Sequence, residues 1–161
     1  VVLLDISMPG SNGLDILKQV KSEQPQLRVI ILSMFPEAVY AVRAIRAGAS
    51  GYVTKNSAAK ELTTAIHTVV KGGRYVSAAL AEKLAFDLGD AATQPLHELL
   101  SDRELQVLRL IAQGLTTSEI AQELTLSVQT ISTYRARILD KMQLKNNAAL
   151  VRYAVENGLV E

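Results

Sequence analysis

Three polar side chains stand at or just after the ends of short apolar segments in the first third of the chain: Asp5, Ser33 and Lys55. A carboxylate can accept a phosphoryl group as a nucleophile, a lysine can pair with the added charge, and a hydroxyl can contribute a hydrogen bond. Taken singly, a helix-capping aspartate, a serine in a turn and a solvated lysine would explain the same residues. Together, the three side chains would make a phosphoryl-dependent switch chemically possible.

The segments that carry these residues are apolar and rich in β-branched side chains, as buried parallel strands are; they cover residues 1–4, 29–32 and 51–54. Helical patterns are predicted over residues 14–22, 37–47, 57–70 and 77–88. Alternation of strand and helix is typical of a doubly wound α/β domain, in which the carboxyl ends of the strands share one edge. The three side chains should therefore converge at that edge.

The predicted secondary structure changes after residues 89–95. In this segment Gly, Asp, Ala, Thr and Pro occur without periodicity, as in a linker. From Ser101 onward the sequence shows four helical patterns and no strand pattern. We therefore predict an α/β domain over residues 1–76, a linker helix and linker over residues 77–98, and an all-α domain over residues 99–161.

The all-α part carries the signals of a helix-turn-helix. Ser101 with Glu104, and Thr116 with Glu119, have capping-box spacing, which marks two helix starts. Ser127 is the predicted N-cap of a longer helix with an apolar face formed by Val128, Ile131, Ile138 and Met142. Two helices joined by a tight turn give the geometry in which the second helix enters the major groove of DNA.

The opposite face of that longer helix is small and polar, and it comprises Gln129, Thr133, Ala136, Arg137 and Asp140, with Thr130 and Ser132 on its flanks. Such a surface allows close approach to base edges. Arg137 and Lys141 are candidates for phosphate contacts, whereas Arg135 should pack its stem on the core side and extend its head outward. The plainer alternative is the solvated surface of a four-helix domain.

The front half resembles a known family. Asp5-Ile6-Ser7-Met8-Pro9-Gly10, Gly13, Ser33 and the segment from Gly51 to Lys55 are similar to the second half of a CheY-like response-regulator receiver, over residues 1–72. The resemblance implies a flavodoxin-like fold with Asp5 as phosphoacceptor, Ser33, Tyr52 and Lys55 as switch residues, and Mg²⁺ bound by Asp5 and the carbonyl of Ser7. Tyr52 could equally be a strand tyrosine that only packs.

One departure from the receiver pattern bears on the metal. The sequence begins within an apolar segment, without the first strand-helix units and the acidic pair that receivers use to hold Mg²⁺. We therefore expect an N-terminally truncated receiver that binds Mg²⁺ weakly or not at all. The first strand should also present an exposed apolar edge, which favours dimerisation, aggregation or coverage by another element.

The back half resembles the LuxR/NarL DNA-binding domain over residues 99–159. The matching residues run from Leu100 through Glu104, Gly114 and Ile120 to the helix of Thr130, Arg137 and Met142. The resemblance implies that Ser132, Thr133 and Ala136 face bases and that Thr130, Arg137 and Lys141 face the DNA backbone. Ser132, Tyr134 and Arg137 stand where the family often has lysine, histidine and asparagine. The DNA sequence of the operator therefore does not follow from the resemblance.

Taken together, these features predict a transcription regulator of a two-component system, with double-stranded DNA, a sensor histidine kinase and a second copy of the chain as partners. Dimerisation is expected through the last helix, which begins near Asn146. The alternatives are a DNA binder uncoupled from phosphorylation and a front half that serves only as a protein-interaction module. The absence of cysteine and of long apolar segments favours a cytoplasmic protein without membrane contact, and no catalytic dyad suggests an enzyme.

Overall fold

The computed structural model describes residues 1–8, 11–57, 59–87 and 95–160. The chain divides into two compact units, Val1–Ala91 and Ala92–Glu161. Apart from Pro95, the predicted linker over residues 89–95 lies outside the described residues.

The front unit alternates strands with helices. Its elements are β1 (Val2–Asp5), β2 (Ser7–Met8), β3 (Ser11–Asn12), α1 (Gly13–Glu23), β4 (Val29–Ser33), α2 (Glu37–Arg46), β5 (Gly51–Thr54), α3 (Ala59–Val70) and α4 (Ala78–Asp87). A parallel sheet of order β1-β4-β5 confirms the predicted α/β class. The β2-β3 ladder was not predicted, because strands of two residues are too short to show a periodic pattern.

The core of the front unit lies against the central strand β4. Ile30 of β4 packs with Val53 of β5 and with Ala65 and Val69 of α3, and all four side chains are buried. This arrangement explains why the strand segments read as continuous apolar stretches rather than alternating ones.

β1 occupies one edge of the sheet. Val2 and Leu3 are 39% and 43% exposed, so the apolar edge expected from the sequence is present. Its association with another strand stays a prediction.

The back unit is helical. It contains a 3₁₀ turn (Leu96–Leu99), α5 (Asp102–Ala112), α6 (Thr117–Leu124), α7 (Val128–Lys141) and α8 (Asn147–Glu156). α7 packs on both α5 and α6, and α8 packs on α5, around the fully buried side chains of Leu105, Leu108, Ile120, Ile131, Ile138 and Leu150. The four predicted helices are therefore present. No helix within the described ranges is long and apolar enough to cross a membrane.

Candidate phosphoacceptor edge and candidate nucleic-acid interface

The carboxyl ends of β1 and β5 bring Asp5 and Lys55 together. Asp5 is the last residue of β1, Lys55 directly follows β5, and both strands run parallel to β4. The Lys55 ammonium donates a hydrogen bond to Oδ2 of Asp5, and the two side chains remain 34% and 29% exposed. The edge therefore presents an accessible carboxylate with its charge balanced by a lysine.

Ser33 ends β4 at the same edge and is tied to Lys55 through the backbone. The Lys55 N–H donates to the Ser33 carbonyl over 2.7 Å. The buried Ser33 hydroxyl accepts a hydrogen bond from the N–H of Phe35 over 3.0 Å. The predicted nucleophile, lysine and hydroxyl thus meet at one edge of the sheet.

Phe35 connects the two predicted switch residues, Ser33 and Tyr52. Besides the amide hydrogen bond to Ser33, its carbonyl accepts a hydrogen bond from the Tyr52 hydroxyl over 3.0 Å, and Tyr52 is only 2% exposed. The Phe35 ring also stacks on Tyr40 of α2, with ring centroids 5.1 Å apart. Sequence analysis missed Phe35; the available signal was a serine two residues before it, a spacing at which hydroxyls bond to backbone amides.

The loop after β1 packs closely on the strand end that carries Asp5. Ser7 pairs through its backbone with Asn12, and the buried Asn12 side chain accepts from the Leu14 N–H over 3.0 Å, which caps α1. A Cβ atom on Gly13 would lie 2.3 Å from the Asp5 carbonyl oxygen. Only glycine fits at this position.

The predicted metal ligands, Asp5 and Ser7, do not by themselves fit Mg²⁺. Within residues 1–8, 11–57, 59–87 and 95–160, no group of three or more potential His, Cys, Asp or Glu ligands occurs. The Asp5 carboxylate, which is the carboxylate that the described residues supply at this edge, is already paired with Lys55. Mg²⁺ prefers octahedral oxygen ligation, which this single carboxylate does not supply.

The helix-turn-helix is formed by α6 and α7. A capping box of Thr116 and Glu119 starts α6, and hydrogen bonds from Thr116 hold the pKa of the Glu119 carboxyl below its usual range. Thr125 ends α6 in the left-handed region with φ 55°, and Ser127 then caps α7 by accepting from the Thr130 N–H over 3.1 Å. The turn between the helices is therefore fixed at both ends.

The face of α7 that the sequence predicts to contact DNA is exposed. Gln129, Ser132, Thr133, Ala136 and Arg137 are exposed, and so are Asp140 and Lys141, whereas Thr130 is half-buried. The Thr130 hydroxyl is hydrogen-bonded to that of Ser127, at 2.8 Å, and therefore takes part in the cap. Arg137 forms no hydrogen bond or ion pair with any residue that the structure describes, which leaves its guanidinium available to a ligand.

The structure corrects the prediction for Val128 and adds a contact for Arg135. Val128, predicted for the apolar face, is 44% exposed, because it lies in the first turn and about 60° from the buried stripe through Ile131. Arg135, predicted to extend its head outward, is exposed and donates through Nε to Oδ1 of Asn147 on α8 over 2.7 Å. This hydrogen bond at the surface, which the sequence did not predict, links α7 with α8.

Lys141 forms an ion pair that the sequence analysis missed. Its ammonium lies 2.7 Å from Oε2 of Glu104, which has an exposed side-chain fraction of only 4%. Burial by itself would raise the pKa of the Glu104 carboxyl, but hydrogen bonds from Lys141 and Ser101 outweigh burial and hold that pKa below its usual range. The capping glutamate of α5 thus also anchors the C-terminal end of α7.

The lowered pKa of Glu104 predicts a loss of stability in acid. Because the pKa is lower in the folded than in the unfolded chain, its contribution is complete above the ordinary glutamate pKa of about 4.3 and is lost as pH falls through the folded pKa. Glu104→Gln should lower the free energy of unfolding by about 1–3 kcal/mol at pH 7 and by less at pH 3. Urea unfolding followed by circular dichroism at both pH values measures this difference.

The control for this prediction is Glu123→Gln, which changes an exposed glutamate of α6. It should alter the free energy of unfolding little at either pH. A Glu104→Gln protein that loses as much stability at pH 3 as at pH 7 would contradict the assignment.

Comparison with known proteins supports the family resemblance of each half of the chain. Residues 1–67 match the response regulator receiver domain, and residues 98–154 match the bacterial regulatory proteins of the luxR family. The oxygen regulatory protein NreC of Staphylococcus aureus is 37% identical over 168 residues, covering 100% of this chain and 77% of NreC.

Two solved structures of RcsB from Salmonella are also similar. One shows RcsB bound to promoter rprA in the presence of the phosphomimetic BeF₃⁻; it is 29% identical, with a TM-score of 0.55 over 94% of this chain and 72% of RcsB. The other, described for conformational dynamism in DNA interaction, is 27% identical, with a TM-score of 0.64 over 96% of this chain and 72% of RcsB. The chain thus belongs to the LuxR-family response regulators, the DNA-binding transcription regulators of two-component systems.

Proposed function

We propose that this chain binds double-stranded DNA by inserting α7 into the major groove, under the control of phosphoryl transfer from a sensor histidine kinase to Asp5. The observation that carries the proposal is the exposed, small and polar face of α7, opposite its buried stripe. Small side chains on this face allow the helix to approach base edges closely.

The roles proposed along α7 differ by position. Ser132, Thr133 and Ala136 face bases, with Gln129 beside them, and Thr130, Arg137 and Lys141 face the DNA backbone. Of the two basic residues, Arg137 carries more of the phosphate contact, because Lys141 is already paired with Glu104. With a side chain that is still 41% exposed, Lys141 can contribute a second, weaker phosphate contact.

The control element of the proposal is the edge formed by Asp5, Lys55 and Ser33. A phosphoryl group on Asp5 would add negative charge beside the Lys55 ammonium and near the segment held by Ser33 and Tyr52. In this chain we expect Mg²⁺ binding to be weak, because the described residues at the edge supply only the Asp5 carboxylate. The second candidate is therefore a DNA binder that works without phosphorylation.

Further parts of the proposal concern assembly and location. We propose homodimerisation through α8, because Val155 on this helix is 55% exposed and a dimer would read two half-sites. The proposed domain limits are residues 1–76 and 99–161, joined by the segment 77–98. Because the target is bacterial DNA, we place the protein in the cytoplasm, as a regulator rather than an enzyme.

Replacing Arg137 tests the proposal. Arg137→Ala should weaken binding to a mixed-sequence duplex about 10-fold at low salt and reduce the slope of log affinity against log salt by about 1, because one phosphate contact is lost. Fluorescence anisotropy of a labelled duplex at several salt concentrations gives both quantities.

The matched control is Arg74→Ala, which removes an exposed arginine from the front unit. It should leave both affinity and slope close to those of the unmodified chain. Absence of binding by the unmodified chain at low salt, or equal effects of the two substitutions, would count against the proposal.

A further inference from the structure

The start of α4 is held by a side chain of α2. The Ser77 hydroxyl accepts from the Leu80 N–H over 3.0 Å and so caps α4. The same hydroxyl donates to Oε2 of Glu37, and the Ser77 N–H lies 3.4 Å from Oε1 of that carboxylate. One carboxylate thus binds both the side chain and the backbone of the residue that starts α4.

Glu37 is also the last residue of a short segment, residues 33–37, that we name the switch segment. Within it, Phe35 is bonded through its N–H to Ser33 and through its carbonyl to Tyr52. Pro36 follows with φ −55°, and Glu37 is the first residue of α2. Proline fixes its own φ, so this backbone angle between Phe35 and Glu37 cannot rotate to absorb a displacement of Phe35. Such a displacement should therefore also move Glu37.

From these contacts we infer that the Glu37–Ser77 contact is a latch, through which a change at Ser33 and Tyr52 alters the order of α4. This inference rests on the proposed control through Asp5, because Ser33 lies at the edge that contains Asp5 and Lys55. α4 is the last element of the front unit that the structure describes. Ser77 and Glu37 act as positioning residues, because they hold the start of α4.

A second set of contacts holds the segment before α4 and the α4 helix itself, and so limits how much of this region can loosen when the latch opens. Tyr75, two residues before Ser77, forms a parallel bridge with Gly51, and its hydroxyl donates to Glu61 over 3.2 Å. Leu80 is buried, at 3% exposure, and α4 packs on α2. Opening the latch should therefore loosen α4 from its first turn while the segment before it stays attached to β5.

The test uses Ser77→Asp in the intact chain. Aspartate is as good an N-cap as serine, so α4 keeps its cap, but its carboxylate repels Glu37 and opens the latch. Ala79→Asp is the matched control, because it adds the same charge at an exposed position in the first turn of α4. Amide hydrogen exchange of residues 79–87, followed by NMR without DNA, reports the order of α4.

Ser77→Asp should speed exchange in α4 about 10-fold relative to Ala79→Asp. Adding Glu37→Gln to Ser77→Asp should return the rates to within about 2-fold of the unmodified chain, because the glutamine amide can donate to the new carboxylate. Equal exchange in the Ser77→Asp and Ala79→Asp proteins, or no recovery in the double variant, would overturn the latch.

Coupling to the switch residues is tested with Tyr52→Phe, which removes the hydroxyl bonded to Phe35. It should speed α4 exchange several-fold in the unmodified chain and add nothing in the Ser77→Asp background. The same increment in both backgrounds, or none in either, would overturn the inference. These measurements require neither DNA nor phosphate, so a failure of the latch is distinguishable from a failure of the proposed DNA-binding function.

Discussion

Ala136→Glu should weaken binding to duplex DNA at low salt by about 100-fold while leaving the fold unchanged. Ala136 lies on the exposed face of α7, where a methyl side chain allows the helix to approach the groove. Glutamate adds bulk at the closest point of approach and places a negative charge among phosphates. Because glutamate is a good helix former, α7 itself should persist. Fluorescence anisotropy measures the affinity, and circular dichroism measures the helix content.

The control for Ala136→Glu makes the same replacement at Ala79, an exposed position on α4. Ala79→Glu should bind DNA within about 2-fold of the unmodified chain, since it changes the net charge equally but not the surface of α7. An Ala136→Glu protein that binds as tightly as the Ala79→Glu protein would show that DNA is contacted elsewhere.

Gly13→Ala should destabilise the front unit by about 3 kcal/mol. The added Cβ would lie 2.3 Å from the carbonyl oxygen of Asp5 and 2.7 Å from Cα of Ile6, and both are backbone atoms that cannot rotate away. Relief therefore requires α1 or the end of β1 to move, which disturbs a buried, closely packed region. Urea unfolding by circular dichroism should show an early transition of the front unit in the variant.

Gly114→Ala supplies the comparison for that result. Gly114 has φ +91° and nothing within 4 Å of its added Cβ, so alanine there meets backbone strain without a clash. The expected cost is about 1 kcal/mol. Equal losses in the two variants would mean that the contact at Gly13 relaxes easily, and that the loop after β1 is not held against Asp5.

The sequence predicted structural elements correctly where a residue type has one dominant role in local backbone structure. Capping boxes at Ser101 and Thr116 are present as predicted, and the helix starts follow from them. The parallel strands were also predicted from the sequence, because continuous apolar segments of this length have few other uses. Their parallel arrangement brings Asp5 and Lys55 to one edge.

The contacts that sequence analysis missed join elements far apart in the chain. Glu104 with Lys141, Arg135 with Asn147, and Glu37 with Ser77 are pairs of common surface residue types, which have no periodic or spacing signal. Their partners depend on how the helices pack, and packing is decided by the buried faces rather than by the polar residues themselves. Val128 shows a related limit, because its place in the first turn of α7, about 60° from the buried stripe, leaves it exposed although its side chain is apolar.

Site-specific crosslinking can show whether α7 enters the groove of DNA. The chain contains no cysteine, so Thr133→Cys and Asn157→Cys each carry a photoactivatable label at one site only. Thr133 lies on the exposed face of α7, whereas Asn157 lies at the exposed end of α8. If α7 enters the groove, position 133 should crosslink to duplex DNA, unlabelled duplex should compete the crosslink away, and position 157 should give none. Crosslinking from position 157 alone, or from neither position while the proteins still bind DNA, would contradict entry of α7 into the groove.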